Sequence, residues 1–182
     1  MTKRLFLIDG NSFCYRAYYA IKGLTNSKGF PTNAIYGFVT MLNKIVEAEK
    51  PDYLAVSFDL KGPTFRHKKY ADYKIHRKPM PDELVAQMPV IKNVLGALNI
   101  PIYEKEGFEA DDILGTIARR AEEKGIDTFI VTGDKDALQL ISSHIKVFST
   151  HKEGLIYDEE AVKERYGSIH LAGNYRRKGI LE

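Results

Sequence analysis

Acidic residues follow three of the short apolar runs in this sequence, and others begin a helix-like segment. They are Asp9, Asp59, Glu109, Asp111, Asp112, Asp134 and Asp136. Short continuous apolar runs are typical of buried strands in a parallel sheet, and open α/β sheets bind ligands just beyond the carboxyl ends of their strands. If the strands are neighbours, the acids converge in one crevice, where they repel one another unless cations lie between them.

Such a cluster of carboxylate oxygens suits two divalent metal ions, Mg²⁺ or Mn²⁺. Two ions about 4 Å apart clamp a phosphodiester that undergoes in-line displacement. The alternative for any single acid is structural, since an Asp after a strand is often a turn former or a helix cap. Because the acids recur at strand ends, the set as a whole favours metal-dependent phosphodiester hydrolysis.

A basic segment, residues 61–78, begins two residues after Asp59. Its cations are Lys61, Arg66, Lys68, Lys69, Lys74, Arg77 and Lys78, its interleaved rings are Phe65, Tyr70 and Tyr73, and its only acid is Asp72. Lysine and arginine neutralise phosphates, and aromatic faces stack on exposed bases. A solvated loop or a lysine-rich helix face is the alternative, but the position beside Asp59 favours an arch over the acidic crevice that holds a nucleic-acid strand.

Size and composition favour one domain with a substantial core. The chain has 182 residues, of which 44% are hydrophobic, and its formal charge of +3 is too small to prove nucleic-acid binding. The single cysteine, Cys14, excludes an intrachain disulfide and suits a reducing cytosol. The apolar run after Arg4 is too short for a signal peptide or a membrane span. We therefore expect a cytoplasmic protein without a membrane partner.

Strand-like and helix-like segments alternate along the chain. Strands are predicted at residues 5–8, 53–58, 128–133 and 145–149, with a short one at 100–103, and helices at 34–46, 81–98, 109–121 and 137–141. Pro89 lies inside the second helical pattern and predicts a break or a kink. The alternation predicts an α/β fold with a mainly parallel sheet and right-handed crossovers. Residues 168–182 have no clear period and are predicted to be an atypical, poorly ordered tail.

Four motifs occur in order. They are DGNSFCYRAY at residues 9–18, a segment with Phe65-Arg66-His67, Tyr73-Lys74 and Pro79-Met80-Pro81, GFEADDILGT at residues 107–116 and TGDKDALQL at residues 132–140. Together they resemble the 5′→3′ exonuclease domain of bacterial DNA polymerase I, which belongs to the flap-endonuclease superfamily. The resemblance covers residues 1–167. It implies a PIN-like three-layer sandwich, with a mainly parallel central sheet and a basic helical arch.

The resemblance also implies roles for individual side chains. The seven acids would be catalytic carboxylates that bind the two divalent ions. Tyr73 and Lys74 would contact the scissile phosphate, with Lys74 as a catalytic residue. Further substrate contacts are expected from Arg16, Arg66, Tyr70 and Arg77.

The sequence departs from the family pattern after Tyr166 and Gly167. Family members continue into an Asp-x-x-Asp-Asn-type motif and a glycine-rich helix–hairpin–helix that grips duplex DNA, and this sequence has neither. Two second-metal carboxylates and a duplex anchor are missing with them. We therefore expect cleavage by this chain to be weak.

The leading hypothesis is a 5′→3′ exonuclease or 5′-flap endonuclease that acts on DNA with 5′ ends or flaps in replication and repair. In a longer protein, a polymerase module would accompany it. One alternative is a catalytically weak or inactive DNA-binding module of the same fold. Another is a different PIN-like ribonuclease, against which the long basic segment argues. A haloacid-type phosphatase is excluded, because Asn11 stands where that chemistry needs a second Asp.

Overall fold

The computed structural model describes residues 2–70, 78–149 and 155–167. The elements are β1 (Arg4–Asp9), α1 (Gly10–Ala20), α2 (Asn33–Glu49), β2 (Tyr53–Ser57), α3 (Phe65–Lys69), α4 (Asp82–Ala97), β3 (Ile102–Tyr103), α5 (Ala110–Glu122), β4 (Asp127–Thr132), a 3₁₀ helix (Lys135–Leu140), β5 (Ile145–Ser149), β6 (Ile156–Tyr157) and α6 (Glu159–Tyr166). The tail predicted at residues 168–182 lies outside the described residues. Among those described, no helix has the length and apolar character that a bilayer span requires.

The six strands form one sheet in the order β3-β2-β1-β4-β5-β6. All neighbouring pairs are parallel except β5 and β6, which are antiparallel. The central strand β1 pairs with β2 on one side and with β4 on the other. These three carboxyl ends therefore meet at one edge of the sheet, as the acidic pattern requires. The predicted α/β fold with a mainly parallel sheet is confirmed.

Both faces of the sheet are covered, which gives three layers. On one face, Phe6 and Ile8 of β1 pack with the buried side chains of α1, α2 and α4. On the other face, Leu5 and Leu7 pack with α5, the 3₁₀ helix and α6. A strand that is buried on both faces has no polar side to alternate with, which explains why β1 reads as a continuous apolar run.

Two predicted helices differ from expectation. Helix α4 runs through Pro89 without a break. A proline inside a helix removes one backbone hydrogen bond and costs about 3 kcal/mol, but buried Leu84, Ile91 and Leu95 hold both halves of α4 against the sheet. The helix predicted at residues 137–141 is instead the 3₁₀ helix, which begins earlier and is capped by Asp134.

A buried glutamine fixes α4 to the start of α2. The Oε1 atom of Gln87 accepts hydrogen bonds from the backbone N–H groups of Ala34 (2.8 Å) and Ile35 (3.2 Å). Its Nε2 atom donates to Oδ1 of Asn33 at 2.9 Å. The first N–H groups of a helix have no partner within that helix, so Gln87 satisfies two of them. Because α4 follows the basic segment in the chain, this contact anchors the helix into which that segment leads.

Candidate functional site

Five of the seven predicted acids line one cavity at the carboxyl ends of β1, β2 and β4. The cavity has a volume of about 730 Å³. Its acidic lining consists of Asp9, Asp59, Glu109, Asp111 and Asp134. Arg16, which was expected to contact substrate, lines the same cavity. Parallel pairing of the three strands thus brings together residues that lie up to 125 positions apart in the chain.

Asp9 is the most buried acid of this cavity apart from Glu109, which forms an ion pair with Arg66. Its Oδ1 atom accepts from the backbone N–H of Ser12 at 2.9 Å, so that Asp9 caps α1. Its Oδ2 atom accepts from Oγ1 of Thr132 at 2.8 Å. Burial raises the pKa of Asp9, and the nearby charges of Asp59 and Asp134 raise it further, while the two hydrogen bonds lower it. The charged form of Asp9 is therefore disfavoured unless a cation is close.

Hydrogen bonds join the strand ends around this cavity. Oδ2 of Asp59 accepts from Nδ2 of Asn11 at 2.9 Å, and Oδ1 accepts from the backbone N–H of Ala110 at 2.6 Å. Oδ1 of Asp134 accepts from the backbone N–H of Asp136 at 2.9 Å. Asp59 is thus held by the helices that follow its two neighbouring strands, whereas Asp134 is held by the 3₁₀ helix that follows its own strand. The structural role of an Asp at a strand end, which the sequence left open, coexists here with a place in the cavity.

Arg66 does not lie where the sequence placed it. As a cation of the basic segment it was expected to contact substrate, but its side chain is only 2% exposed. Its Nη2 atom lies 2.6 Å from Oδ1 of Asp112, and its Nη1 atom donates to Oδ2 of Asp112 at 2.8 Å and to Oε2 of Glu109 at 3.2 Å. The first turn of α3 thus directs Arg66 towards α5 rather than towards solvent, and its expected contact with substrate stays a prediction.

Asp112 and Asp136 are not part of the cavity lining. Both oxygens of Asp112 accept from Arg66, and Oδ2 also accepts from the backbone N–H of Glu109 at 2.9 Å. Asp112 is thus paired with a cation of the chain, and its expected place among the metal carboxylates stays a prediction. Asp136 is partly buried in the 3₁₀ helix. Its backbone N–H donates to the side chain of Asp134, which caps that helix. Its role in metal binding stays a prediction.

The chemistry of the remaining acids fits divalent ions. The cavity offers hard oxygen ligands, and burial first, then repulsion from Asp59 and Asp134, raises the pKa of Asp9, so a nearby cation would favour its charged form. Within residues 2–70, 78–149 and 155–167, however, no three His, Cys, Asp or Glu side chains form a group that could hold a metal ion. Mg²⁺ keeps several water ligands and is bound through one or two carboxylates rather than by an all-protein cage. The lining fits that mode of binding.

A second cavity of about 430 Å³ adjoins the first, and basic residues line one side of it. The two cavities share Tyr15, Asp59 and Glu109 as lining residues. The second is also lined by Lys61, His67, Lys78 and Met80. The described ends of the basic segment therefore flank the acidic cavity, as its position after Asp59 suggested.

The remaining arch residues are only partly described. Tyr70 is 50% exposed, so its ring is available for contact. Tyr73, Lys74 and Arg77 lie outside the described residues, and their roles stay predictions.

Several lining residues were missed by the sequence reasoning. Tyr15 and Tyr19 stand at i and i+4 on α1, with ring centroids 6.3 Å apart, and both line the acidic cavity. Their spacing places them on one face of a helix, a signal that could have been combined with Arg16. Asn11 and Ser12 orient Asp59 and Gly133, and nothing in their local sequence indicates those partners.

Comparisons with known proteins agree on one family. The model for the 5'-3' exonuclease, N-terminal resolvase-like domain matches residues 4–167. The chain is 47% identical over 169 residues to DNA polymerase I of Caldicellulosiruptor bescii, and this alignment covers 90% of this chain and 20% of that protein. It is 44% identical over 162 residues to a 5'-3' exonuclease of Aquifex aeolicus, and that alignment covers 89% of this chain and 56% of the exonuclease. The chain therefore spans about a fifth of the polymerase and about half of the exonuclease.

Solved structures share the fold at lower sequence identity. The T5 5'-exonuclease with bound zinc aligns with a TM-score of 0.70 at 18% identity, over 92% of this chain and 63% of that one. The catalytic core of Rad2 in complex with a DNA substrate aligns with a TM-score of 0.53 at 16% identity, over 91% of this chain and 51% of that one. Both matches support the PIN-like three-layer architecture.

Proposed function

Because the chain belongs to the family of 5'-3' exonuclease N-terminal, resolvase-like domains, we propose that it hydrolyses DNA phosphodiesters at 5′ ends and 5′ flaps. The observation that carries the proposal is the convergence of five carboxylates in one cavity at the ends of three neighbouring parallel strands. Such a cavity repels a bare phosphate, so the proposal includes divalent ions as the link between the acids and the DNA.

Asp9, Asp59, Glu109, Asp111 and Asp134 would hold two divalent ions, Mg²⁺ or Mn²⁺. When bound, such ions supply charge stabilisation for the attacking and leaving oxygens of an in-line displacement. The protein's own part is to fix the acids: Asn11 and Ala110 orient Asp59, while Ser12 and Thr132 orient Asp9. Acids held in this way need little reorganisation when the substrate arrives.

The cationic residues around the cavity would hold the substrate strand. Arg16 lines the acidic cavity, and Lys61 and Lys78 line the adjoining one. Cations in these places would neutralise phosphates on either side of the cleaved bond. Tyr70, Tyr73, Lys74 and Arg77 are proposed to contact the same strand, with Tyr73 and Lys74 engaging the scissile phosphate and Lys74 acting as a catalytic residue.

The wider setting is part of the same proposal. The polymerase relatives are several times longer than this chain, so a polymerase module in the same protein and a role in DNA replication and repair are proposed from them. A cytoplasmic location, where bacterial DNA lies, follows from that role.

One observation favours a second candidate function, a DNA-binding module with little or no turnover. In the described part of the chain, no three potential ligands form a group that could hold a metal ion. If the ions were bound too weakly, the basic residues would still attract DNA while the phosphodiester stayed intact. The two candidates share the same DNA-binding surface and differ in turnover.

The test is cleavage of a labelled 5′-flap duplex by the purified chain with Mg²⁺, Mn²⁺ or EDTA, alongside a gel-shift measurement of binding. We expect ion-dependent cutting that is lost in Asp134→Asn, because this change removes a cavity charge with little change in size. Lys124→Ala, an exposed change beyond the far end of α5, serves as the matched control. Binding without cutting would support the second candidate, and a chain that neither binds nor cuts DNA would contradict both.

A further inference from the structure

Helix α3, at the start of the basic segment, is attached to the N-terminus of α5. The backbone N–H of Phe65 donates to the carbonyl oxygen of Gly107 at 2.9 Å. The rings of Phe65 and Phe108 lie 5.8 Å apart between centroids. Arg66 then inserts between Glu109 and Asp112. Its buried guanidinium thus stands beside one of the acids that line the catalytic cavity.

One nitrogen of Arg66 is shared between the two acids. Nη1 donates to Oδ2 of Asp112 at 2.8 Å and to Oε2 of Glu109 at 3.2 Å, whereas Nη2 lies 2.6 Å from Oδ1 of Asp112. The shorter distances show that Asp112 takes the forked, bidentate contact, which is the stronger type of arginine–carboxylate pair. The contact of Nη1 with Glu109 is the longer one, at 3.2 Å. Asp112 and Glu109 therefore compete for the same cation.

We infer that Asp112 is the counter-ion of Arg66 and keeps this arginine from pairing fully with Glu109. Glu109 is then available to a divalent ion in the cavity. Asp112 and Arg66 act as positioning residues, and Asp112 is not itself a ligand. The inference rests on the proposed function, because the pairing of Glu109 affects activity only if that acid binds an ion.

The two possible roles of Asp112 predict opposite behaviour when Arg66 is also changed. If Asp112 is the counter-ion, Asp112→Asn releases Arg66 to Glu109 and weakens ion binding. Removing Arg66 as well then restores binding, because this cation can no longer pair with Glu109. If Asp112 is a ligand, the loss persists whether or not Arg66 is present.

The experiment measures Mn²⁺ binding by calorimetry in the absence of DNA. We expect Asp112→Asn to weaken binding by about tenfold, since a unit charge a few ångströms from an ion has at least that effect at a partly buried site. The double variants Arg66→Gln/Asp112→Asn and Arg66→Met/Asp112→Leu are expected to bind within about threefold of the unmodified chain. Asp111→Asn, which changes an acid of the cavity lining, gives the size of a direct loss.

Folding is checked for every variant by circular dichroism and by thermal unfolding in EDTA. Arg66→Met alone leaves two acids without their cation and is not used, whereas replacing both members of a buried ion pair is often neutral for stability. The first double variant keeps polar groups and the second keeps apolar volume, so one suffices for the test. Double variants that bind Mn²⁺ as weakly as Asp112→Asn would overturn the inference while leaving the proposed function intact. An unmodified chain without saturable Mn²⁺ binding would overturn both.

Discussion

At the scale of single residues, Asp9 joins two roles that favour different charge states. As the cap of α1 it accepts a backbone N–H, and an ionised carboxylate is a strong acceptor for that bond. As a buried member of an acidic cavity it is disfavoured in its ionised form, by burial first and then by Asp59 and Asp134. The raised pKa shows that burial and repulsion outweigh the two hydrogen bonds. The charged form of Asp9 therefore lowers the stability of the fold.

This balance predicts how Asp9→Asn changes stability. Because the pKa of Asp9 is higher in the folded protein than its ordinary value of 3.8, folding favours the protonated form. The stability that the protonated form of Asp9 contributes is complete below pH 3.8, and it is lost as the pH rises through the raised pKa. Asparagine caps helices about as well as aspartate and carries no charge. In EDTA at neutral pH, Asp9→Asn should therefore unfold at a higher temperature than the unmodified chain.

The measurement is thermal unfolding over a pH series in EDTA. The gain from Asp9→Asn should shrink as the pH is lowered, because the unmodified chain then takes up the proton itself. Asp158→Asn is the matched control, since Asp158 also caps a helix but does not line the acidic cavity. A gain of equal size in both variants, or one that is independent of pH, would show that burial and repulsion of the Asp9 charge are not its cause.

The residues whose shared location is predictable from the sequence are those whose position depends on the backbone alone. Asp9, Asp59 and Asp134 each follow a strand, and parallel pairing then brings them together whatever their side chains contact. For Arg66 and Asp112 the family resemblance implies roles in substrate and metal binding, and these roles stay predictions. Which partner each one takes depends on the direction in which α3 meets α5, and local sequence does not encode that direction.

At the scale of elements, the meeting of β1, α1 and β2 depends on a glycine. Gly10 is the first residue of α1 and follows Asp9 directly. A Cβ atom added there would overlap the ring of Phe58, which is fully buried and precedes Asp59. The missing side chain therefore lets the start of α1 approach the end of β2. This close approach is one reason why Asp9 and Asp59 face the same cavity.

We predict that Gly10→Ala destabilises the fold by about 1–3 kcal/mol, the usual cost of inserting a methyl group into a packed core. The same change should lower Mn²⁺ affinity, because Phe58 can move only together with the backbone that carries Asp59. Denaturant unfolding and calorimetry measure the two effects. Gly96→Ala is the control: it lies in α4 with no atom within 4 Å of an added Cβ, and should stabilise by about 0.4–1 kcal/mol. A Gly10→Ala variant as stable as the unmodified chain would contradict the steric argument.

Elements also show which parts of the fold were predictable. The strands β1 and β4 were found because burial on both faces produces an apolar run that has no other explanation. The order of the strands was not predictable from the runs, because parallel strands in a covered sheet look alike. Helix α4 was placed correctly, but its continuity through Pro89 depends on tertiary packing that outweighs the local penalty.

At the scale of the whole molecule, acidic and basic residues are concentrated in different places. The formal charge of +3 is small, but an acidic cavity lies beside a segment in which basic residues greatly outnumber acidic ones. Screening limits such fields to about 8–10 Å at physiological ionic strength, so each patch acts on what lies near it. In the proposed function, divalent ions would bind in the cavity and a DNA strand along the rim formed by Lys61, His67 and Lys78. Both ligands could then be present together because the two cavities adjoin.

This separation predicts how DNA binding depends on salt. Lys69 is exposed at the end of α3, within the basic segment. If it contacts one phosphate of a single strand, Lys69→Ala should reduce the slope of log affinity against log salt by about 0.7, because one fewer counterion is released on binding. Binding of a fluorescent oligonucleotide over a series of salt concentrations in EDTA measures the slope. Lys124→Ala removes the same charge beyond the C-terminal end of α5, about 20 Å along that helix from the cavity, and should leave the slope unchanged. Equal slopes for all three proteins would mean that the strand is held elsewhere, and that the basic segment owes its composition to solvation alone.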